Sequence, residues 1–422
     1  MRLSNNLMYQ NNINKILDNQ QGVANAQERV TTGEKYLTTS EAPAAISQAM
    51  LYSNKIQTNE QYTKNIDQLN GRLETEESVL QSINSNIQQA QELTIQAGNG
   101  VYTKDDLKSI ASELSGIQQT LANLMNTRSE DGKFIFSGYQ DSTQPYQLES
   151  GEYNYKGDQG QHQITIAEGV SIKASDNGFD TFEKTDARLN VLDNKADIPT
   201  TTPTNNITKG TVYVDGQAEF DKFHQAQYNA DPTTPVSPTA NTFSVVTTAG
   251  ATTNDPDTYE ILQDGVSLTP PQTGEVTDDT IEFAGMKIQF EGNAPGQLDF
   301  SLEKPHKENV LNTLQALITG LNDGTLEGED FQQVLADGLV QLQNASEQVV
   351  FTQASLGGRM NALERVSDSN LALDIQNKSN RSNLVEVDMA EAISELTKQE
   401  TALQASQATF GRLTNLSLFD YL

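Results

Sequence analysis

Cysteine and tryptophan are absent from the 422-residue chain, and histidine occurs only three times. Without thiols there are no disulfides, no thiol chemistry and no thiolate metal sites. Cations are also scarce: 27 Lys and Arg stand against 57 Asp and Glu, giving a formal net charge of -30. Such a charge repels nucleic acid and anionic membrane surfaces, so neither is expected as a partner. Hydrophobic residues make up 35% and aromatics 6%, low for a compact enzyme. No apolar run approaches the roughly 20 residues of a membrane span, so no membrane insertion is expected. The opening MRLSNNLMYQNNINKILDNQ has no apolar stretch of the kind found in a cleaved signal peptide. A cytoplasmic location fits this, and so does export without a cleaved signal.

Signs of chemistry are equally sparse. His162, His224 and His306 are scattered without metal-ligand spacing, and surface or loop positions are expected for them. Asp255, Asp257, Asp278 and Asp279 fall in turn-like segments that lack the spacing of a calcium loop. GLNDGTLEGED at 320–330 reads as a helix-capping turn as readily as a weak calcium site. There is no phosphate-binding loop, dinucleotide fingerprint or nucleophile elbow. In so acidic a chain, paired carboxylates do not indicate hydrolysis. No catalytic, cofactor-binding or metal-binding residue is expected, and hence no cofactor and no enzyme.

What the chain does have is helical periodicity at both ends. Tyr9, Ile16, Val23 and Val30 lie seven apart, with Ile13, Gln20 and Gln27 four residues after the first three. That spacing predicts an amphipathic helix over 1–30 with a partly polar coiled-coil seam. Gly33 and Pro43 then interrupt it. A second helix is expected from about Ala44 to Ala97 on the stripe Tyr62, Ile66, Leu69, Leu73, Glu76, Leu80, Ile83, Ile87, Ala90. A third is expected from about Asp105, whose carboxylate caps it, to about Ser129.

GKFIFSGY at 132–139 changes the character. Phe134, Phe136 and Tyr139 suggest a strand, with Gly132 and Gly138 as breakers. From there to about residue 304 the chain alternates like strands, with Pro/Thr-rich stretches that read as exposed loops. Helix returns after Pro305. One very long helix is predicted along Leu335, Leu342, Val349, Leu356, Leu363, Asn370 and Leu373, and a last one along Met389, Leu396, Leu403 and Phe410. The expected fold class is α+β: a long-helix coiled-coil core formed by both chain ends, with a β-rich middle insert of one or two small domains. The boundaries expected are 1–43 (assembly helix and bend), 44–139 (core), 140–304 (variable β-rich outer part), 305–380 (core) and 381–422 (assembly helix and tail).

The terminal helices carry too little apolar seam to offset the entropy of ordering them alone. They are expected to be partly disordered in a free monomer and to fold on neighbouring copies. The assembly residues expected are Tyr9, Ile13, Ile16, Val23, Val30, Leu396, Leu403, Phe410, Leu413, Leu416, Leu418, Phe419 and Leu422. Arg359, Arg365, Arg381 and Arg412 are scarce helical cations that pair with acidic neighbours across copies or solubilise a face.

TTGEKYLTTSEAPAA at 31–45, with Thr32, Gly33, Lys35, Ser40, Pro43 and Ala44, resembles a conserved-type element of the bacterial flagellin-like family, with Glu41 and Ala42 replacing its usual acidic pair. GKFIFSGY resembles that family's crossing out of the helical core. In that role Phe134 and Phe136 plug onto the helices while Gly132 and Gly138 let the backbone turn. NRSNLVEVDMAEAISELTKQETALQASQATFGRLTNLSLFDYL at 380–422 resembles the C-terminus of the family branch found between hook and filament. The resemblance covers about 1–139 and 305–422. It implies a structural subunit of the bacterial flagellum that self-associates between hook-associated protein 1 and flagellin. It further implies export to the extracellular flagellum, unfolded and without a cleaved signal, with a flagellar export chaperone. The alternatives are a flagellin of the main filament, a secreted enzyme carried on assembly helices, and a coiled-coil tip or adhesin.

Overall fold

The computed structural model describes the backbone of residues 2–200, 205–230, 241–252, 255–263 and 265–419, and their side chains except at 2–6 and 413–419. In chain order the elements begin with helices α1 (Arg2–Thr32), α2 (Pro43–Ala97) and α3 (Lys104–Met125). Strands β1 (Tyr146–Glu149), β2 (Glu152–Tyr155), β3 (Gln163–Ala167), β4 (Val170–Lys173) and β5 (Ile207–Val214) follow, then helix α4 (Gln217–Gln227). Next come β6 (Thr242–Thr248), β7 (Thr258–Gln263), β8 (Val266–Glu275), β9 (Thr280–Phe283), β10 (Met286–Gly292) and β11 (Gly296–Ser301). Helices α5 (Val310–Asn322), α6 (Gly328–Val385) and α7 (Met389–Phe419) close the chain. The α+β class is as expected: terminal helices pack together and the β-rich region is central.

The chain divides into two compact units, one of residues 1–70, 164–172 and 360–422, the other of 71–163 and 173–359. In the first, α1 packs on α7, and the leading part of α2 on the trailing part of α6. Asn59 Nδ2 donates to the Asn370 carbonyl across the α2–α6 seam at 2.5 Å, with Ile56, Ile66, Leu69 and Leu363 buried along it. The β3–β4 hairpin lies on this pair. Asn65 donates to the Thr165 carbonyl and Asn370 to the Ile166 carbonyl, each at 2.7 Å. These two amides satisfy strand carbonyls that a helix face would otherwise leave unpaired.

In the second unit, Leu73, Leu80, Ile83 and Ile87 of α2 are buried with Leu342, Val349 and Leu356 of α6 and the apolar stripes of α3 and α5. The expected cap of α3 shifts by two residues. Thr103 is the N-cap, in a reciprocal capping box with Asp106, and the helix stops at Met125 rather than near Ser129. Asp105 lies in the first turn, where its charge suits the helix N-terminus.

Most of the β-rich region shares one hydrophobic core, running from Val191 to Leu302. A three-stranded antiparallel sheet, β5-β10-β9, and a four-stranded one, β11-β6-β7-β8, enclose Val212, Phe243, Val245, Ile261, Ile288 and Phe300. Pro270 and Pro271 sit in β8, an edge strand, where a missing N–H costs no ladder bond. Helix α4, which periodicity did not reveal, inserts Phe220 into this core. The hairpin β1–β2 is not part of it. Its Tyr153 amide donates to Asn312 of α5 at 2.8 Å, so that hairpin belongs with the helices.

Candidate assembly surface

Helices α1 and α7 run antiparallel. Tyr9 meets Phe410 with ring centroids 4.9 Å apart, and Asn19 Nδ2 donates to Ser406 Oγ at 2.6 Å. Gly22 lies against Gln399. Beyond the helices, the Lys35 amide donates to the Val385 carbonyl at 2.7 Å and the Val387 amide to the Gly33 carbonyl at 2.9 Å. The bend after α1 is tied back to it by Arg29 and Glu41, 3.2 Å apart, so the glutamate that departs from the family's acidic pair has a partner within this chain.

The seam of this pair is small and polar. Ile16, Val23 and Val30 turn toward α7, together with Asn12, Asn19 and Ala26. From α7 come Ala392, Leu396, Gln399, Leu403, Ser406 and Phe410. The seam row expected through Ile13, Gln20 and Gln27 is corrected: Ile13 is 40% exposed, and Gln20 and Gln27 are also exposed. The second row of the heptad follows the first by three residues, not four, and falls on Asn12, Asn19 and Ala26. Apolar content favoured Ile13 in the sequence, whereas helix geometry placed two asparagines in the seam. Tyr9 is 43% exposed even with Phe410 beside it. Leu7, Met8 and Leu17 on α1 and Met389 and Ile393 on α7 also remain exposed. The backbone of α7 continues through Leu413, Leu416, Leu418 and Phe419, whose side chains lie outside the described residues, as does all of Leu422.

The segment 132–139 is not the alternating strand expected. It is a run of turns with a single antiparallel bridge between Arg128 and Phe134. Phe134, Ile135 and Phe136 are all buried, so the side chains do not alternate between two faces. Turn geometry, with φ of +76° at Gly132 and +72° at Gly138, directs three successive apolar residues inward. The Arg128 guanidinium covers the Phe134 ring at 4.1 Å, and Phe136 packs edge-on to Phe182 at 5.1 Å. The Phe136 carbonyl accepts from the Gly178 amide and the Tyr155 hydroxyl. Tyr139 is largely exposed and lies edge-on to His162.

Two buried charged clusters escaped sequence reasoning. Glu76 of α2 is fully buried; its Oε1 accepts from the Asp176 amide at 2.9 Å, and the Asp176 carboxylate pairs with Arg359 of α6. Burial, then the Asp176 charge, pushes Glu76 up to about 8. In the other cluster, buried Arg188 donates to Asp337 at 2.6 Å, Gln333 at 2.9 Å and the Val214 carbonyl at 2.6 Å. It also bonds Gln217. Burial raises the Asp337 carboxyl despite the Arg188 charge beside it. Glu76 stood on a predicted helical stripe, and Arg359, expected to pair across copies or to solubilise a face, is instead paired with Asp176 of its own chain; nothing in the sequence marked Asp176, Arg188 or Asp337.

The histidines are not brought together. His224 is buried, stacked on Tyr228, with Nε2 2.8 Å from the Glu303 carbonyl. His162 and His306 lie beside Asp141 and Glu303. Among the described residues, no group of three or more His, Asp or Glu is placed to hold a metal ion.

Residues 3–141 match the bacterial flagellin N-terminal helical region, and 339–422 match the bacterial flagellin C-terminal helical region. The chain is 37% identical over 153 residues to flagellar hook-associated protein 3 of Escherichia coli K12, covering 36% of this chain and 48% of that protein. It is 35% identical over 154 residues to the Salmonella typhimurium protein of the same name, covering 36% and 49%. In both cases the match spans about half the length of the curated relative. The crystal structure of flagellar hook associated protein-3 from Legionella pneumophila superposes with a TM-score of 0.57 at 21% identity, covering 79% of this chain and 98% of that one. Xanthomonas campestris FlgL gives 0.55 at 22%, covering 78% and 99%. At these identities the likeness concerns the fold. With both flagellin helical regions matched at the two ends that pack as α1 and α7, the chain belongs to the bacterial flagellin-like family.

Proposed function

We propose that this chain is a structural, non-catalytic subunit of the bacterial flagellum that forms the junction between hook and filament by helical self-association. The observation that carries the reading is the antiparallel α1–α7 pair, whose narrow polar seam leaves Leu7, Leu17, Met389 and Ile393 facing solvent. A lone helical pair with such residues uncovered is incomplete, and burying them on neighbouring copies supplies the missing hydrophobic stabilisation. The residues assigned to that contact are Tyr9, Ile13, Ile16, Val23, Val30, Leu396, Leu403, Phe410, Leu413, Leu416, Leu418, Phe419 and Leu422, with the seam members fixing the pair and Ile13 on its outer side. Identity to proteins named flagellar hook-associated protein 3 supports the junction over the main filament. Hook-associated protein 1 and flagellin are the neighbours in this reading, with a flagellar export chaperone before assembly. The destination is extracellular, reached without a cleaved signal.

Imaging of the tagged protein on intact flagella tests the reading: a short zone at the hook end is expected. Label along the whole filament assigns the chain to the main filament instead. Deleting 417–422 should leave the monomer folded and abolish incorporation. Normal incorporation of that truncation removes the tail from the interface.

A further inference from the structure

The first unit has two unlike flanks. On one side of the α2–α6 pair is an open groove of about 850 Å³ lined by Leu51, Tyr62, Val170, Val366 and Leu373. Lys55 and Arg365 border it, and among the described residues Glu168 is the one acidic residue lining it. On the other side is a shallower cleft of about 440 Å³ bordered by Asp67, Glu364 and Asp368, with Met360 between them. Adjacent residues on α6, Glu364 and Arg365, thus border different flanks, which the roughly 100° step of a helix allows. All five charged groups are exposed, and among the described residues none of them forms a salt bridge; Lys55 lies over the Tyr52 ring at 6.0 Å. In a chain of net charge -30, an apolar groove with an excess of cations is a departure from the general surface.

We propose that these flanks are the two halves of a head-to-tail contact between copies of this chain: the Lys55–Arg365 groove of one copy receives the Asp67–Glu364–Asp368 flank of the next. The proposal rests on the reading of the chain as a self-associating subunit and names the surfaces it uses. The charges are complementary between flanks and repulsive within the acidic flank, which disfavours a two-fold pairing of like faces. Because the two surfaces differ and lie on opposite sides of one helix pair, the contact propagates from copy to copy and does not close as a two-fold dimer. Met360 supplies an apolar group to meet Leu51 and Leu373, which are otherwise exposed.

Charge reversal on the full chain tests this. Lys55→Glu with Arg365→Glu, and separately Asp67→Lys with Glu364→Lys and Asp368→Lys, should each retain the far-ultraviolet circular dichroism of the wild type. Each should weaken self-association in sedimentation by at least about tenfold. Mixing the two variants should restore it, because each reversed flank now fits the other. The natural absence of cysteine permits a second readout that does not depend on reversal being tolerated. Thr58→Cys sits in the groove and Ser367→Cys on the acidic flank. Disulfide-linked dimers should form only when the two single-cysteine chains are mixed. Wild type that associates while both reversals are neutral, or cross-links no more frequent in the mixture than in either chain alone, overturns this contact and leaves self-association standing. Wild type that stays monomeric at every concentration overturns both.

Discussion

Glu76 is a carboxyl group held away from water, and its proton is linked to folding. In the unfolded chain it titrates near 4.5, and in the folded one burial and then the Asp176 charge raise it to about 8. Between those values the folded state keeps a proton that the unfolded state releases. Stability from this group is therefore fully present below pH 4.5, falls as pH rises through the window, and levels off above about 8. Burial raises Glu183, Glu303, Glu308 and Asp337 as well, which adds to the same sign. Glu76→Gln keeps an oxygen for the Asp176 amide and cannot ionise. Urea midpoints measured from about pH 5 to 8 should fall less steeply in this variant than in wild type; parallel curves would exclude the linkage. Arg188→Met leaves the half-buried Asp337 and the Val214 carbonyl without their donor and should cost about 1–3 kcal/mol, read from the same unfolding curves. Two glycines with nearly equal φ separate strain from space. At Gly132 an added Cβ meets nothing within 4 Å, so Gly132→Ala should cost only the left-handed backbone penalty, about 1–2 kcal/mol. At Gly138 it would collide with the backbone and carboxylate of Asp158, so Gly138→Ala should be clearly worse. Equal costs would mean that Asp158 yields freely.

At the scale of elements, the seam between α1 and α7 is held by polarity as much as by burial. Asn19, hydrogen-bonded to Ser406 and facing Ala402, gives up stability but defines one register, a familiar use of a seam asparagine. Asn19→Leu should slow amide exchange along α1 in dilute protein, because the replacement buries more apolar surface; unchanged or faster exchange would mean that the hydrogen bonds outweigh it. Helix α3 depends on its capping box. Thr103→Ala removes the hydroxyl that accepts from the Asp106 amide, leaving only the backbone half of the box, and should cost about 1 kcal/mol, detectable as a lowered unfolding midpoint. The β-rich core shows where pattern reading ran short. Its strands alternate, so their existence was legible, but α4 is brief and rests on Phe220 and His224 at one helical interval. In 132–139, Phe134 and Phe136 suggested alternation, and only Ile135, buried between them, reveals turns.

For the whole molecule, the two ends of one chain form a single antiparallel pair while nearly 360 residues intervene between Thr32 and Met389. That arrangement leaves Leu7, Leu17, Met389 and Ile393 exposed on the elements that the family reading assigns to assembly. A full-length monomer should therefore show fast amide exchange along α1 and α7 and strong protection within α2, α3 and α6. Protection of α1 and α7 should rise on self-association, while uniform protection in dilute monomer would mean that the terminal pair is complete on its own.

The sequence by itself determined the long helices, their approximate lengths, the β-rich middle and the family, because heptad spacing and terminal motifs are local properties of the chain. It could not settle which of two rows in a heptad faces the partner. A three- and a four-residue step are both compatible with the spacing, and the choice between Asn12 and Ile13 belongs to the packed pair. Nor could it show that Glu76, Asp176 and Arg359, or Arg188 and Asp337, meet. Such clusters join residues a hundred or more positions apart, and desolvation exists only once the surrounding core has closed over them.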